Sequence, residues 1–444
     1  AELEVASGDR AGTVKNGAVQ FGNVTALHMG TSSGNVEVVK LLLDAGAKVN
    51  PLDVRGMTPL MWSVSTDRPQ TRVVRLLLDK GADASIQSKA GESAVDWARK
   101  FNNRAVLAEL KVAAGEASEG HSAPSVVDRL ARPREAVERS MPLLRGASAK
   151  MLTAGGCVAC HAQPMTVMAA DLATARGWQV ERASSELSQV LATMSSAAQG
   201  LLQAREGGGL PDTQVYYAMM TAAQGTSSSF ATDALVHYLA AKQRQVGNWR
   251  GVGATRAPMQ DGDFSRTAMS IRTLATYGTP GRRAEFAQRI ERAATWLRGQ
   301  TPLTTEDRVM QLLGLKWANA HPTARETRVR ELKAEQRFDG GWAQTSHLTS
   351  DAYATGQVLY ALHELGVPAS DRVYQRGVEF LLRTQQADGS WYVKSRAMKI
   401  QPYFESGFPY GHDQWISQMG TSWAAMALSL ASPNQAVGAA STAK

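Results

Sequence analysis

The run Phe380-Leu381-Leu382-Arg383-Thr384-Gln385-Gln386-Ala387-Asp388-Gly389-Ser390-Trp391 decides how this 444-residue chain folds, because it recurs. Leu332 leads in the same way to Gln336 and Gly340-Gly341-Trp342, and Tyr238-Leu239 leads to Gln243 and Gly247-Asn248-Trp249. In every copy Gln precedes Gly by four residues and Gly precedes Trp by two. Trp296-Leu297-Arg298-Gly299-Gln300 reads as a fourth, decayed copy. Each copy closes one helical pattern, and a second helical pattern follows it.

Outward from these repeats the chain reads as helix pairs, with no convincing strand after Ser125. First helices fall near 126–144, 182–204, 229–243, 284–299, 324–336 and 372–384. Second helices begin near His161, Pro211, Asp263, Glu306, Ser350 and His412. The second set is rich in Ala, Met, Leu and Tyr, as helices buried on several sides require. Six pairs make a complete (α/α)6 toroid over 125–432 with the second set inside. All inner helices then run the same way, so their N-termini share one end of the ring.

The Gln-Trp pattern is similar to the repeat of squalene–hopene cyclases and related terpene cyclases, and Arg376-Gly377 matches the start that this repeat prefers. In that family the Gln caps an outer helix and stacks on the Trp, tying neighbouring helices of an α/α barrel together. The resemblance implies an α/α toroid of terpene-cyclase type. The family also carries an Asp-x-Asp-Asp run whose central Asp protonates a polyene. Asp261 and Asp263 match its first two acidic positions, and Phe264 replaces the third. Terpene cyclase activity is therefore not expected, and Asp263 and Asp351 are read as helix caps. Zinc prenyltransferases use the same ring and need a Cys in the zinc set.

This chain has only two cysteines, and both lie in Cys157-Val158-Ala159-Cys160-His161. Cys-x-x-Cys-His is the attachment signature of haem c. Two thiols three residues apart each add to one vinyl group of one porphyrin, and the following His ligates the iron. A structural zinc site needs more thiolates or histidines at ligand spacing, and none are near. The expected cofactor is one covalent haem c on Cys157, Cys160 and His161, at the start of the first inner helix. In a closed ring the sixth inner helix neighbours the first, which makes His412 the first candidate for the distal iron ligand. Met165, Met168 and Met419 read as core, and His347 and His28 are weaker ligand candidates. The aromatic loop from Gln401 to Gly411 reads either as a roof over the haem edge or as a packed surface loop.

Ahead of the toroid, residues 22–111 repeat every 33 to 35 residues. Gly22-Asn23-Val24-Thr25-Ala26-Leu27-His28 returns as Gly56-Met57-Thr58-Pro59-Leu60-Met61-Trp62 and, more weakly, as Gly91-Glu92-Ser93-Ala94-Val95-Asp96-Trp97. Val38 to Ala47 returns as Val73 to Ala82. The two additional residues fall in the loop Asp67-Arg68-Pro69-Gln70. The pattern resembles ankyrin repeats. The domains are then an ankyrin solenoid over 1–112, a linker at 113–124, the toroid over 125–432 and a polar tail over 433–444. Residues 1–21 read as a degenerate earlier repeat or a stray arm.

The net charge of +8 is spread along the chain, with no clustered basic surface for nucleic acid. No apolar run is long enough for a membrane span. The start at Ala1 has no leader pattern, and haem c is attached outside the cytoplasmic membrane, so the chain is expected to be a processed or truncated form, with a periplasmic or extracellular location in a bacterium. As a whole the chain resembles bacterial ankyrin proteins with a haem c motif and cyclase-like repeats. The expected function is a monohaem c-type cytochrome in electron transfer. Its ankyrin repeats would dock a redox protein partner, a dehydrogenase or another cytochrome. The alternatives are a haem enzyme of oxygenase or peroxidase type acting on an apolar substrate, and a structural subunit of a larger redox complex.

Overall fold

A computed structural model of the chain describes residues 4–8, 12–112, 132–155, 161–181, 184–205, 212–251 and 256–432. The linker at 113–124, the expected helix start at Ser125, Cys157, Cys160 and the tail at 433–444 lie outside the described residues.

A short hairpin of β1 (Thr13–Val14) and β2 (Gly17–Ala18) stands where a degenerate repeat was one expectation. Three helix pairs follow: α1 (Ala26–Ser33) with α2 (Val36–Asp44), α3 (Pro59–Val64) with α4 (Thr71–Asp79), and α5 (Ala94–Phe101) with α6 (Arg104–Glu109). Thr25, Thr58 and Ser93 cap the first helix of each pair, accepting from the backbone N–H of His28, Met61 and Asp96. Leu27, Leu60, Trp62, Val74 and Trp97 form the shared core, so each pair buries its apolar face on the next. His28 is structural. Its ring bonds Thr25 Oγ1 at 2.9 Å and the Met57 carbonyl of the next repeat at 3.0 Å.

Among the described residues twelve helices then alternate outside and inside around a ring. They are α7 (Pro133–Thr153), α8 (Ala162–Ala175), α9 (Ser184–Leu202), α10 (Asp212–Ala223), α11 (Phe230–Lys242), α12 (Asp263–Tyr277), α13 (Arg283–Gly299), α14 (Thr305–Trp317), α15 (Thr323–Ala334), α16 (Ala352–Glu364), α17 (Arg372–Thr384) and α18 (Gln414–Ala431). The even-numbered helices form the inner wall. Each packs on the next, and α18 packs back on α8, which closes the toroid. Met165, Met168 and Met419 are core residues of this wall.

The Gln-Trp repeats are its clamps. Trp249, Trp342 and Trp391 each donate the indole N–H to a carbonyl ten residues earlier, those of Leu239, Leu332 and Leu381, at 2.7–2.8 Å. Gln243 spans to the Arg289 carbonyl of α13 at 2.9 Å, and Gln336 spans to Val373 of α17 at 2.7 Å. Gln385 reaches Ala136 of α7 at 2.8 Å, joining the last outer helix to the first. Gly247, Gly340 and Gly389 have φ near +90 to +105°, and a Cβ there would strike a carbonyl of the following outer helix. The repeat needs Gly for both reasons.

The ankyrin array lies across one end of the ring. Its three intra-pair loops, about one repeat apart, all touch the toroid. Arg250 donates to the Ser33 carbonyl at 3.4 Å, and Asn102 donates to the His347 carbonyl at 3.0 Å. Between them the longer Thr66–Gln70 loop enters the mouth. Among the described residues no helix is long and apolar enough to cross a membrane.

Candidate functional site

The mouth under the array is built from the N-terminal ends of the inner helices. Helix starts leave unpaired N–H groups and a partial positive charge. Acidic residues gather there: Asp212 on α10, Asp263 on α12, Glu306 and Asp307 on α14, and Asp351 before α16. Asp351 caps its helix as expected, accepting from the Ala354 N–H at 2.9 Å.

Asp263 does not act as a cap. It is the first residue of α12, and Gly262 holds the N-cap position. The Asp263 carboxylate instead accepts from Asn248 Nδ2 at 2.9 Å and lies 3.6 Å from Arg266. Asp261 is turned the other way, into the ankyrin loop. It accepts from Thr66 Oγ1 at 2.8 Å and from the Asp67 N–H at 2.9 Å. The Arg68 side chain crosses Gly262, bonds the Asp261 carbonyl at 3.1 Å and pairs with Asp307. Asp67 pairs with Arg396 at 2.7 Å, with both side chains only 3% exposed. The two acids that match the cyclase run are therefore engaged by protein groups, one in the toroid and one in the array.

Inside this lid lies an acid that sequence reasoning passed over. Glu306 is buried and accepts from Ser265 Oγ at 2.5 Å and Tyr353 Oη at 2.8 Å. Burial raises its carboxyl to about 7, against the pull of the two hydroxyls. The sequence marked Glu306 only as the start of an inner helix, one residue from the capping acid Asp307. Asp67, Arg68 and Arg396 were equally hidden, although the two-residue expansion of the repeat marks the loop that carries the first two.

His161 stands immediately before α8 on the same rim. Its ring meets Tyr216 of α10 edge-on, with centroids 6.1 Å apart. Its Nδ1 is enclosed without a hydrogen-bond partner among the described residues, and burial, aided by Arg256, pushes the imidazole down to about 3. The ring is therefore neutral, the form that ligates iron.

The aromatic loop flanks both ends of the motif. Phe404 packs with Met151, Ala162 and Trp415, and a Cβ on Gly155 would strike the Phe404 ring. Gln414 latches the loop, accepting from Ser406 Oγ at 2.5 Å and donating to the Phe404 carbonyl at 3.0 Å. Ring closure thus brings the α18 start to the α8 start, with Trp415 beside Ala162. His412, however, is exposed and lies against Tyr403, the two rings tilted with centroids 4.4 Å apart, whereas His161 faces Tyr216. His347 lends its carbonyl to the array.

Among known proteins, residues 7–110 match the family of ankyrin repeats in three copies. Residues 300–442 match the squalene-hopene cyclase C-terminal domain. A putative ankyrin repeat protein of Fowlpox virus is 44% identical over 46 residues, which is 10% of this chain and 33% of that protein; the chain thus spans a third of that relative's length. A solved protein from Actinoplanes is 16% identical, covering 67% of this chain and 99% of that one, with a TM-score of 0.45. A variant of the type II terpene cyclase MstE from Scytonema, in complex with its product merosterolic acid A, is 14% identical over 67% of this chain and 98% of its own, with a TM-score of 0.41. The chain combines three ankyrin repeats with an α/α toroid of squalene–hopene-cyclase type.

Proposed function

We propose that this protein is a monohaem c-type electron carrier, acting in the periplasm or outside the cell. Cys157 and Cys160 would hold the porphyrin through thioether bonds, and His161 would ligate the iron. The observation that carries this reading is the His161 imidazole directly after Cys-x-x-Cys, held neutral with an enclosed ring nitrogen that no described residue claims. Bound there, haem c supplies one-electron redox chemistry. Phe404, Trp415 and Tyr216 give the surroundings of His161 and its neighbour Ala162 an aromatic character, which limits water and favours the less charged, reduced state. His412 becomes a distal ligand only if it leaves Tyr403. Ankyrin repeats are protein-binding surfaces, and the array's faces away from the toroid are offered to a redox partner, a dehydrogenase or another cytochrome.

The visible spectrum of protein matured with a haem c assembly system tests this. The expected result is one covalent haem per chain and a low-spin spectrum that carbon monoxide does not alter. His161→Ala should lose the low-spin spectrum while keeping the thioether-bound porphyrin. A high-spin iron that binds carbon monoxide would move the reading to an oxygenase or peroxidase. A chain that never acquires covalent haem would overturn both.

A further inference from the structure

We propose that Glu306 is a redox-linked proton site, taking up one proton when the group held at His161 gains one electron. This rests on the haem reading above. The geometry is that of a carboxyl built to be neutral in one state and charged in the other. Both of its oxygens are engaged by hydroxyls, Oε1 by Ser265 at 2.5 Å and Oε2 by Tyr353 at 2.8 Å. Among the described residues no cation pairs with it. The guanidiniums around the mouth are committed elsewhere: Arg266 of α12 to Asp212 at 2.7 Å, Arg68 of the array to Asp307, and Arg396 to Asp67 at 2.7 Å.

A line of buried groups joins this carboxyl to His161. Tyr353 donates to Glu306, Tyr216 lies within electrostatic reach of Tyr353, and the Tyr216 ring meets His161. In a buried, weakly screened region a charge appearing at one end is felt at the other. The step balances. One electron arrives from the redox partner, one proton arrives from solvent, and the Glu306 carboxylate becomes a carboxylic acid. Oxidation releases both.

The other ionisable groups acting on Glu306 are Asp307 on its own helix, Tyr353 from α16 and Asp67 from the array. Asp307 is neutralised by Arg68. Burial raises Asp67 and Asp351 to about 6 and Glu306 to about 7, so the comparison with Glu306→Gln is what assigns a slope to Glu306.

The test is the midpoint potential of the haem-loaded protein as a function of pH. The potential should fall as pH rises through 7, with a slope approaching about 59 mV per unit, the value for one proton per electron. Glu306→Gln should flatten that slope while leaving the haem content per chain unchanged. A variant that keeps the slope, or a wild-type haem protein with no slope, overturns the inference and leaves the electron-carrier reading standing. Absence of covalent haem overturns the two together. A second readout needs no variant: the infrared band of a protonated carboxyl should disappear from the wild-type protein across pH 7, gain intensity on reduction at pH 7, and contradict the inference if it ignores the redox state.

Discussion

At the toroid mouth Glu306 is buried and His161 is half-buried with its Nδ1 enclosed, and loss of water moves the two in opposite directions. Loss of water disfavours the charged form of each, so the imidazole falls to about 3 and the carboxyl rises to about 7. For Glu306 this has a stability consequence. The folded protein keeps a proton that the unfolded chain releases near 4.5. Its contribution is fully present below that pH and is lost as pH rises through 7. The difference of about 2.5 pH units is worth roughly 3 kcal/mol. Denaturant titrations between pH 4 and pH 8 should show wild type losing about that much more stability than Glu306→Gln. Parallel curves for the two proteins would place the titrating group elsewhere. Glu306 was invisible in the sequence because nothing local distinguishes it from its neighbour Asp307, which forms a capping box with Thr304.

At the scale of elements, most helices were legible. The apolar periodicity and the Gly-Trp stops are local signals, and they place the inner helix starts close to where the structure has them. The capping of α12 was misread. Two acids flank Gly262, and either could cap. The backbone at Gly262 is extended and takes the N-cap place, while Asp261 is drawn into the ankyrin loop. Gln385 carries the closure of the outer layer, with hydrogen bonds to the Ala136 carbonyl at 2.8 Å and the Gly389 carbonyl at 3.0 Å. Gln385→Ala leaves two buried carbonyls short of a donor and should cost about 1–3 kcal/mol in urea denaturation. Exchange of the α7 amides should rise in the same variant. A cost below about 0.5 kcal/mol would mean that helix packing alone closes the ring.

At the scale of the molecule, the array is a lid on the toroid as well as a candidate docking surface. Its hold depends on a charge pair with almost no exposure to water, Asp67 with Arg396. Removing one partner of such a pair strands the other. Asp67→Ala should therefore cost about 3–5 kcal/mol. The double replacement Asp67→Ala with Arg396→Met should recover part of that loss, because no unpaired charge remains. Hydrogen exchange at residues 33, 66–68 and 101–102 reads the lid directly, and faster exchange is expected at all three loops in the single variant. Unchanged exchange with unchanged stability would show that the lid is held by its other contacts, such as Arg68 with Asp307.

The sequence by itself determined the repeat periods, the helix pairs, the closed ring and the placement of His161 at the start of an inner helix. These follow from residue spacing along one chain, and spacing is a local property. Only the tertiary structure decided what each acid at the mouth does. Asp261 serves the array, Asp263 serves Asn248 and Arg266, Asp307 receives Arg68, and Glu306 is left buried between two hydroxyls. It also separated His161 from His412 by giving each its own aromatic partner, Tyr216 and Tyr403. Burial, charge pairing and side-chain direction depend on residues hundreds of positions apart, such as Asp67 and Arg396, and those meet only when the chain is folded.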